Sequence, residues 1–312
     1  MIQTCILIKY LYRTKYFKII TIMEKITFKS QGSSIAGLLY TPENFNENNK
    51  YPAIVLCHGF AGFKEVLLPA YAEAFAKAGY IVLNFDYRGF GESEGERGRL
   101  VPKLQIEDIH AATGYVASLN FVDSAKIGLW GTSYGGANAI IAAAQNDLVK
   151  CLSVQLTFAN GERVITGDMS EEEKEKFFGM IDKMLAKKEK TGKEMMVPLH
   201  KVLTDEQSKG FYERYSKEYD AFDIKIPFLT VNETISHKPE NYIGDLKIPV
   251  LITASDTDSV NPVEESHILY EKANQPKELM VLEGVSHYEC YEGEPLKKIL
   301  AKQIAWFDEY IK

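Results

Sequence analysis

A serine in a glycine-rich turn is the feature of this sequence with the clearest chemical use. Gly131-Thr132-Ser133-Tyr134-Gly135 has the pattern G-x-S-x-G, between an apolar run at Lys126–Trp130 and a small-residue helical pattern at Tyr134–Gln145. In a strand–turn–helix of this kind the serine lies on a sharp turn that exposes its hydroxyl, and the glycines allow that turn. We therefore expect Ser133 to be a nucleophile. A structural glycine-rich turn is the alternative.

A serine hydroxyl needs a base to accept its proton and a third group that orients the base. For a serine in this context the expected chain order is serine, then acid, then histidine. Of the six histidines, His267 and His287 come late enough to follow an acid. His267 falls inside a predicted helix, whereas His287 follows the predicted strand Glu278–Leu282 through a short loop. His287 is the predicted base.

The acid is expected just after the preceding strand, Val250–Thr253. Asp256 and Asp258 both follow that strand. Asn261 is predicted to be the N-cap of the next helix, and Asp258 lies in the loop three residues before it. We predict Asp258 as the orienting acid and keep Asp256, which is nearer the strand and suited to brace the turn, as the alternative.

An oxyanion hole in such a site needs two backbone donors. The N–H of Tyr134, directly after the nucleophile, is one candidate. The other is the N–H of Phe60, in the glycine-containing loop His58–Phe63 that follows the apolar run Ala53–Cys57. His58 precedes the serine and stands at a strand end, so we interpret it as a structural histidine.

Strand and helix patterns alternate along the chain, which predicts a parallel sheet with right-handed crossovers. A hairpin is expected at Gln31-Gly32. The predicted strands are Lys25–Ser30, Ser34–Tyr40, Ala53–Cys57, Ile81–Phe85, Ile127–Trp130, Cys151–Leu156, Val250–Thr253 and Glu278–Leu282. The predicted helices between them are Leu67–Ala78, Leu104–Leu119, Tyr134–Gln145, Val263–Ala273 and Pro295–Ile311.

The segment 161–246 interrupts this alternation and is richer in charged residues. Ser170 with Glu173 forms a capping-box pattern before a helix at Lys174–Lys190, and Thr204 with Gln207 forms another before Ser208–Tyr219. Aromatic and methionine side chains give both helices an apolar face, which either packs on the core or covers a site. We predict a helical cap at 161–246 and an α/β core at 23–160 and 247–312.

The first 22 residues differ from the rest, because lysine and arginine interrupt their apolar residues and no acid is present. We expect an N-terminal extension, residues 1–22, that is ill-ordered, with Met23 as the natural start. A secretory signal peptide and an amphipathic segment on a membrane surface are the alternatives.

The amino-acid composition and motifs argue against several kinds of partner and cofactor. Thirty-six Lys and Arg against 43 Asp and Glu give a net charge of −7, which argues against nucleic acid. No stretch of 18 uncharged apolar residues occurs, so no membrane partner is expected. Four dispersed cysteines fit a reducing, cytoplasmic location without disulfides. No His/Cys/carboxylate cluster indicates a metal, and Gly89–Gly95 lacks dinucleotide spacing, so no cofactor is expected. A homodimer is left open.

These residues together resemble the α/β-hydrolase superfamily. Its successive landmarks are matched by His58-Gly59-Phe60, by the block Asp86–Ser93, by Gly131–Gly136, by Asp258 and by His287. The sequence is most similar to dienelactone-hydrolase-like esterases and to cinnamoyl or feruloyl carboxylesterases, and the same blocks occur in thiohydrolases and in acyl or polyketide transferases. The resemblance implies an eight-stranded, mostly parallel sheet with a cap after strand six.

It also implies a serine hydrolase that cleaves a small-molecule carboxylic ester, with aromatic esters and lactones or macrolides among the candidates. Thioesterase or acyltransferase chemistry and peptidase chemistry remain as alternatives, and a non-catalytic binding module is disfavoured because every site element is retained.

Overall fold

The computed structural model describes residues 22–312, whose backbone forms ten strands and nine α-helices. The strands are β1 (Ile22–Ser30), β2 (Ser33–Thr41), β3 (Tyr51–Cys57), β4 (Ile81–Phe85), β5 (Val122–Thr132), β6 (Val149–Gln155), β7 (Met196–Pro198), β8 (Lys225–Pro227), β9 (Val250–Ser255) and β10 (Lys277–Leu282). The helices are α1 (Leu68–Lys77), α2 (Pro102–Ala117), α3 (Tyr134–Ala144), α4 (Gly161–Thr166), α5 (Glu171–Thr191), α6 (Glu206–Tyr215), α7 (Thr230–Ile235), α8 (Val263–Lys272) and α9 (Gly293–Ile311).

Eight strands form one sheet in the order β1-β2-β4-β3-β5-β6-β9-β10. The β1–β2 and β2–β4 pairs are antiparallel, and the other neighbours are parallel. The predicted α/β fold with a mostly parallel eight-stranded sheet is confirmed. The predicted hairpin is also present, because Gln31 (φ 46°) and Gly32 (φ 90°) make the left-handed turn between β1 and β2.

The central strands are apolar on both faces because helices cover both sides of the sheet. All five residues of β4 are buried, as are the last five of β3. One core cluster includes residues of α2, α3 and α8, and a second, on the other face, includes residues of α1 and α9. This packing fixes the carboxyl ends of β3, β5, β6, β9 and β10 at one edge of the sheet.

The segment between β6 and β9 carries α4 to α7 and the small antiparallel pair β7–β8. The capping box of Ser170 and Glu173 at the start of α5 is confirmed. The second predicted box is wrong, because Asp205 rather than Thr204 caps α6 and accepts a hydrogen bond from the Ser208 N–H. Asp205 is the cap because its carboxylate reaches the free N–H groups of the first turn.

Glu265, a buried residue of α8, holds the start of this segment. Its carboxylate accepts the backbone N–H groups of Ala159 and Asn160 at 2.8 and 2.9 Å and pairs with the Arg163 guanidinium. Asn160 in turn caps α4. The insertion therefore leaves the core from a fixed point beside the end of β6.

The predicted extension at 1–22 lies outside the described residues, except that Ile22 already pairs with Thr41 as the first residue of β1. Within residues 22–312, no helix is both long and apolar enough to cross a lipid bilayer.

Candidate active site

Ser133 occupies a strained turn between β5 and α3, as the pattern predicts. Its φ is 53° and its ψ is −125°, a backbone conformation that residues other than glycine rarely adopt. The two flanking glycines are needed for close approach: a Cβ on Gly135 would lie 2.2 Å from the Cys57 carbonyl oxygen, and one on Gly131 would lie 2.6 Å from the Gly135 carbonyl oxygen. The turn therefore presses against the end of β3 and projects the serine beyond the sheet edge.

His287 lies in the loop after β10 and is buried, with 2% of its surface exposed. Its Nδ1 lies 2.7 Å from Oδ2 of Asp258, whose other oxygen accepts the N–H groups of Val260 and Asn261 at 2.8 and 2.9 Å. A carboxylate only accepts hydrogen bonds, so Nδ1 carries the proton and Nε2 keeps its lone pair. This is the tautomer that a general base requires.

Asp256, the alternative acid, does not contact His287. Its Oδ1 accepts the Gly284 N–H at 2.7 Å, and its own N–H donates to the Leu282 carbonyl. It therefore links the β9 and β10 loops, while His267 lies exposed on α8.

Asn261 was predicted to cap α8, but Pro262 occupies that position. The Asn261 amide instead reaches the serine turn, donating from Nδ2 to the Leu156 carbonyl at 2.8 Å and to Ser133 Oγ at 3.3 Å. Because an amide NH₂ can only donate, Ser133 Oγ is the acceptor and its own proton stays free for a base. Nothing in the sequence indicated this role, because the predicted N-cap position already accounted for an asparagine at residue 261.

Ser133 and His287 line the same cavity, which has a volume of about 590 Å³. Among the hydrogen bonds of residues 22–312, Ser133 Oγ receives one from Asn261 and makes none to His287. Catalytic hydrogen bonds are often long without substrate and shorten when the complex forms.

The two residues that carry the predicted oxyanion donors, Phe60 and Tyr134, also line this cavity. Tyr134 is the first residue of α3, so its N–H has no partner within the helix. The N–H of Phe60 follows Gly59, at which a Cβ would lie 3.2 Å from the Ser133 Cβ. Within the described part of the chain neither N–H donates to a side chain, and both residues line the cavity.

A buried lysine braces the loop that carries Phe60. The Lys64 Nζ and N–H both bond to Asp86, each at 2.7 Å, and Asn84 donates to the Lys64 carbonyl at 2.6 Å. Burial lowers the pKa of Lys64, but Asp86 and its other acidic partners outweigh burial, so the pKa lies above its usual value. Sequence reasoning did not single out Lys64, since a lysine usually lies on the surface.

His58 is buried against the same loop and also lines the cavity, with Nδ1 3.1 Å from the Gly59 carbonyl and its ring edge-to-face with Tyr87. Burial lowers its pKa to about 4, so His58 is neutral at pH 7. Its contacts with the loop fit the predicted structural role.

A second buried histidine, His237, joins the insertion to the site. Its ring stacks on Tyr134 with centroids 5.5 Å apart, and its Nε2 has no hydrogen-bond partner among the described residues. Burial lowers the pKa of His237 to about 4.

These two histidines predict acid sensitivity. The unfolded chain binds protons at these imidazoles below pH 6.5, whereas the folded chain binds them only near pH 4, so the free energy of unfolding falls as pH is lowered through this window. Each imidazole contributes on the order of 3 kcal/mol to this change in the free energy of unfolding.

Urea titrations at several pH values measure the slope of the free energy of unfolding against pH. His237→Phe should remove close to half of the slope that the two histidines cause, while keeping the stacking on Tyr134. The exposed-site variant His267→Gln should retain the full slope, and equal slopes in all three proteins would contradict this account.

Comparison with known proteins places the chain in a family. The model of the alpha/beta hydrolase fold matches residues 52–294, and the chain belongs to that family. A model of platelet-activating factor acetylhydrolase, isoform II, matches residues 10–93. No group of three or more residues able to hold a metal ion occurs within residues 22–312.

Three relatives match this chain over most of their own length. The chain is 46% identical over 288 residues to an Escherichia coli protein named uncharacterized 31.7 kDa protein in the traX-finO intergenic region, covering 92% of this chain and 100% of that protein. It is 30% identical to the quorum-quenching protein AidA of Acinetobacter baumannii, covering 89% and 92%. It is 27% identical to the thiohydrolase aneE of Aspergillus aculeatus, covering 90% and 91%.

Among solved structures, Est1E from Butyrivibrio proteoclasticus with bound ferulic acid has the same fold. It superimposes with a TM-score of 0.67 at 20% identity, covering 92% of this chain and 99% of that chain. Membership of the alpha/beta hydrolase family supports hydrolase activity, and the solved structure supports the fold.

Proposed function

We propose that this protein is a serine hydrolase that cleaves a carboxylic ester through an acyl-enzyme intermediate. The observation that carries the proposal is the cavity that joins Ser133, on its strained turn, to His287, whose Nδ1 donates to Asp258. These are the parts that activate a serine: a nucleophile that lines the cavity, a base with a free lone pair and a carboxylate that fixes the tautomer.

The chemistry follows from this geometry. Ser133 Oγ attacks the ester carbonyl carbon while its proton passes to Nε2 of His287. The N–H groups of Phe60 and Tyr134 stabilise the oxyanion that forms, and the resulting imidazolium is stabilised by Asp258. The tetrahedral intermediate expels the alcohol, which takes the proton from His287. Water then attacks the acyl-enzyme with His287 again acting as base, which releases the acid and frees Ser133.

The test of this function is covalent labelling together with a substrate panel. A fluorophosphonate should label the folded protein stoichiometrically, and short p-nitrophenyl esters, aryl esters and lactones should identify the preferred class. Absence of both labelling and ester hydrolysis in a folded sample would refute the proposal. Aminoacyl nitroanilides measure the peptidase alternative, for which we expect no turnover.

The relative named as a thiohydrolase favours one alternative, acyl release from a thioester. A second relative, named as the acyltransferase drtE, favours the related transfer of the acyl group to an acceptor. The same acyl-enzyme serves both reactions, because only the leaving group or the second acceptor differs. Thioesters compared with oxygen esters of the same acyl group, and added alcohol acceptors, distinguish these outcomes.

We also propose that segment 161–246 is a cap that shapes the substrate site. The cavity wall includes Phe177, Met195, Val197, Phe211, Phe222 and Phe228, all from this segment. Such a wall fits an apolar acyl or aryl group. Three cysteines, Cys57, Cys151 and Cys290, are free and buried, which fits the proposed cytoplasmic location.

The apolar cavity predicts a preference for longer acyl chains. Each methylene moved from water into the cavity contributes about 0.8 kcal/mol, so kcat/KM should rise about fourfold per methylene from the acetyl ester until the cavity is filled. A p-nitrophenyl series from two to twelve carbons measures this.

A matched pair of variants tests where the acyl chain of the ester lies in the cavity. Val197 on β7 lines the cavity, whereas its neighbour Met196 does not and is 41% exposed. Val197→Phe should lower activity on long chains and spare the acetyl ester, while Met196→Phe should change neither. A flat chain-length profile in the unaltered protein would contradict the apolar acyl site.

A further inference from the structure

One side chain of the inserted segment connects the two loops that carry the acid and the base. The Gln207 Oε1 accepts the backbone N–H of His287 at 2.9 Å, and its Nε2 donates to the carbonyl of Thr257 at 3.0 Å. Thr257 directly precedes Asp258. Both partners are backbone groups of fixed polarity, so the amide can satisfy them in only one orientation.

Two further contacts hold the same helix against the histidine loop. The hydroxyls of Ser208 and Tyr288 are 3.1 Å apart, and the rings of Phe211 and Tyr288 stack with centroids 4.4 Å apart at an angle of 10°. Tyr288 is the residue after His287. Helix α6 therefore contacts the loop at two consecutive residues, with Gln207 bonded to the first and Ser208 and Phe211 to the second.

Neither the capping of α6 nor the wall of the 590 Å³ cavity accounts for Gln207. Asp205 caps α6, so the capping function first predicted for Gln207 is already filled. Gln207 is also not among the residues that line the 590 Å³ cavity, so it does not contribute to that wall. Gln207 instead forms a pair of hydrogen bonds to the acid and base loops. Its partners in these loops lie 50 and 80 residues away from it in the chain.

We propose that Gln207 is a positioning residue that sets the separation of the Asp258 and His287 loops, so that the site is complete only when α6 is docked. This inference rests on the proposed hydrolase function. The insertion then has a second role besides shaping the cavity, because its helix α6 holds the base where the serine proton is to be accepted. Small displacements of a catalytic group cost large factors in rate, which makes such a link measurable.

The test compares Gln207→Met, Gln207→Glu and Lys209→Ala in the full chain. Methionine keeps the size of the side chain and loses both hydrogen bonds. Glutamate keeps an acceptor for the His287 N–H and loses the donor to Thr257. Lys209 is exposed on the same helix, and among the described residues its side chain makes no hydrogen bond or ion pair, so Lys209→Ala controls for changes to α6 itself.

We expect Gln207→Met to lower kcat about 10- to 100-fold with KM within about twofold, because the base is displaced while the cavity wall is unchanged. Gln207→Glu should lie between Gln207→Met and the unaltered protein, and Lys209→Ala should match the unaltered protein. Hydrogen exchange of the His287 amide, measured by NMR, should speed up in Gln207→Met and stay slow in Gln207→Glu. Urea midpoints confirm that all variants are folded.

The exchange measurement separates this inference from the proposed function. If esters are hydrolysed and Gln207→Met matches the unaltered protein in kcat and amide exchange, the link is overturned and the hydrolase stands. If Gln207→Glu is no better than Gln207→Met in both readouts, the link is likewise overturned. If exchange responds as expected but the protein neither hydrolyses esters nor reacts with a fluorophosphonate, the link is supported and the proposed function fails.

Discussion

Ser133→Ala is expected to lower kcat for ester hydrolysis by about 10⁵- to 10⁶-fold and to abolish labelling by a fluorophosphonate. The hydroxyl oxygen is the atom that bonds to the carbonyl carbon, and alanine has no atom in its place. The fold should be unaffected, because alanine bears the same Cβ at φ 53° and the Asn261 amide keeps its bond to the Leu156 carbonyl. Some residual rate over water is expected from the oxyanion donors and from substrate binding alone.

Ser259→Ala is the matched control, because Ser259 is an exposed serine in the acid loop. It should retain full activity and full labelling. If Ser133→Ala were still labelled at the rate of the unaltered protein, the nucleophile would lie elsewhere and the proposed function would need another serine.

Asp258→Asn is expected to lower kcat by about 10⁴-fold. In the structure one Asp258 oxygen accepts the N–H groups of Val260 and Asn261, and the other accepts Nδ1–H of His287. In the variant the amide oxygen is held by the two backbone donors, so its NH₂ faces Nδ1. That arrangement favours the tautomer with the proton on Nε2, which cannot accept a proton from Ser133.

Asp256→Asn is the control for this prediction and should cost less than about threefold. Among the described residues, the hydrogen bond to its carboxylate comes from the Gly284 N–H, and an amide oxygen still accepts that bond. Steady-state rates on one p-nitrophenyl ester, with urea midpoints for both variants, make the comparison. A larger loss in Asp256→Asn than in Asp258→Asn would reverse the assignment of the acid.

The eight strands of the main sheet were all predictable. The six parallel strands are apolar runs between turn residues, and β1 and β2 were expected as the two arms of a hairpin at Gln31-Gly32. The β4 bounds, Ile81–Phe85, coincide with the prediction, whereas β5 extends from Val122 to Thr132 instead of Ile127–Trp130. Its first residues include exposed positions, so no apolar run indicated them. The serine turn was also predictable, since the G-x-S-x-G pattern and the strand and helix on either side of it are adjacent in the sequence.

Gln207 and Asn261 were placed wrongly for one physical reason. Both were assigned to helix caps, a local role that suits their residue types, and in both cases a neighbouring residue occupies the cap. Their amides bond instead to groups that are distant in sequence: Gln207 to His287, 80 residues away, and Asn261 to Ser133, 128 residues away. A polar side chain near a helix start can satisfy either kind of partner, and the sequence does not rank them.

The sequence by itself determined what depends on near neighbours: the alternation of strands and helices, the serine turn, the capping box of α5, and the histidine and acid that follow the last two strands. The tertiary structure alone decided which carboxylate meets His287, what braces the oxyanion loop and how the insertion contacts the site. Those contacts join residues that are far apart in the chain, and their geometry follows from how the sheet edge and α6 pack, which no local pattern encodes.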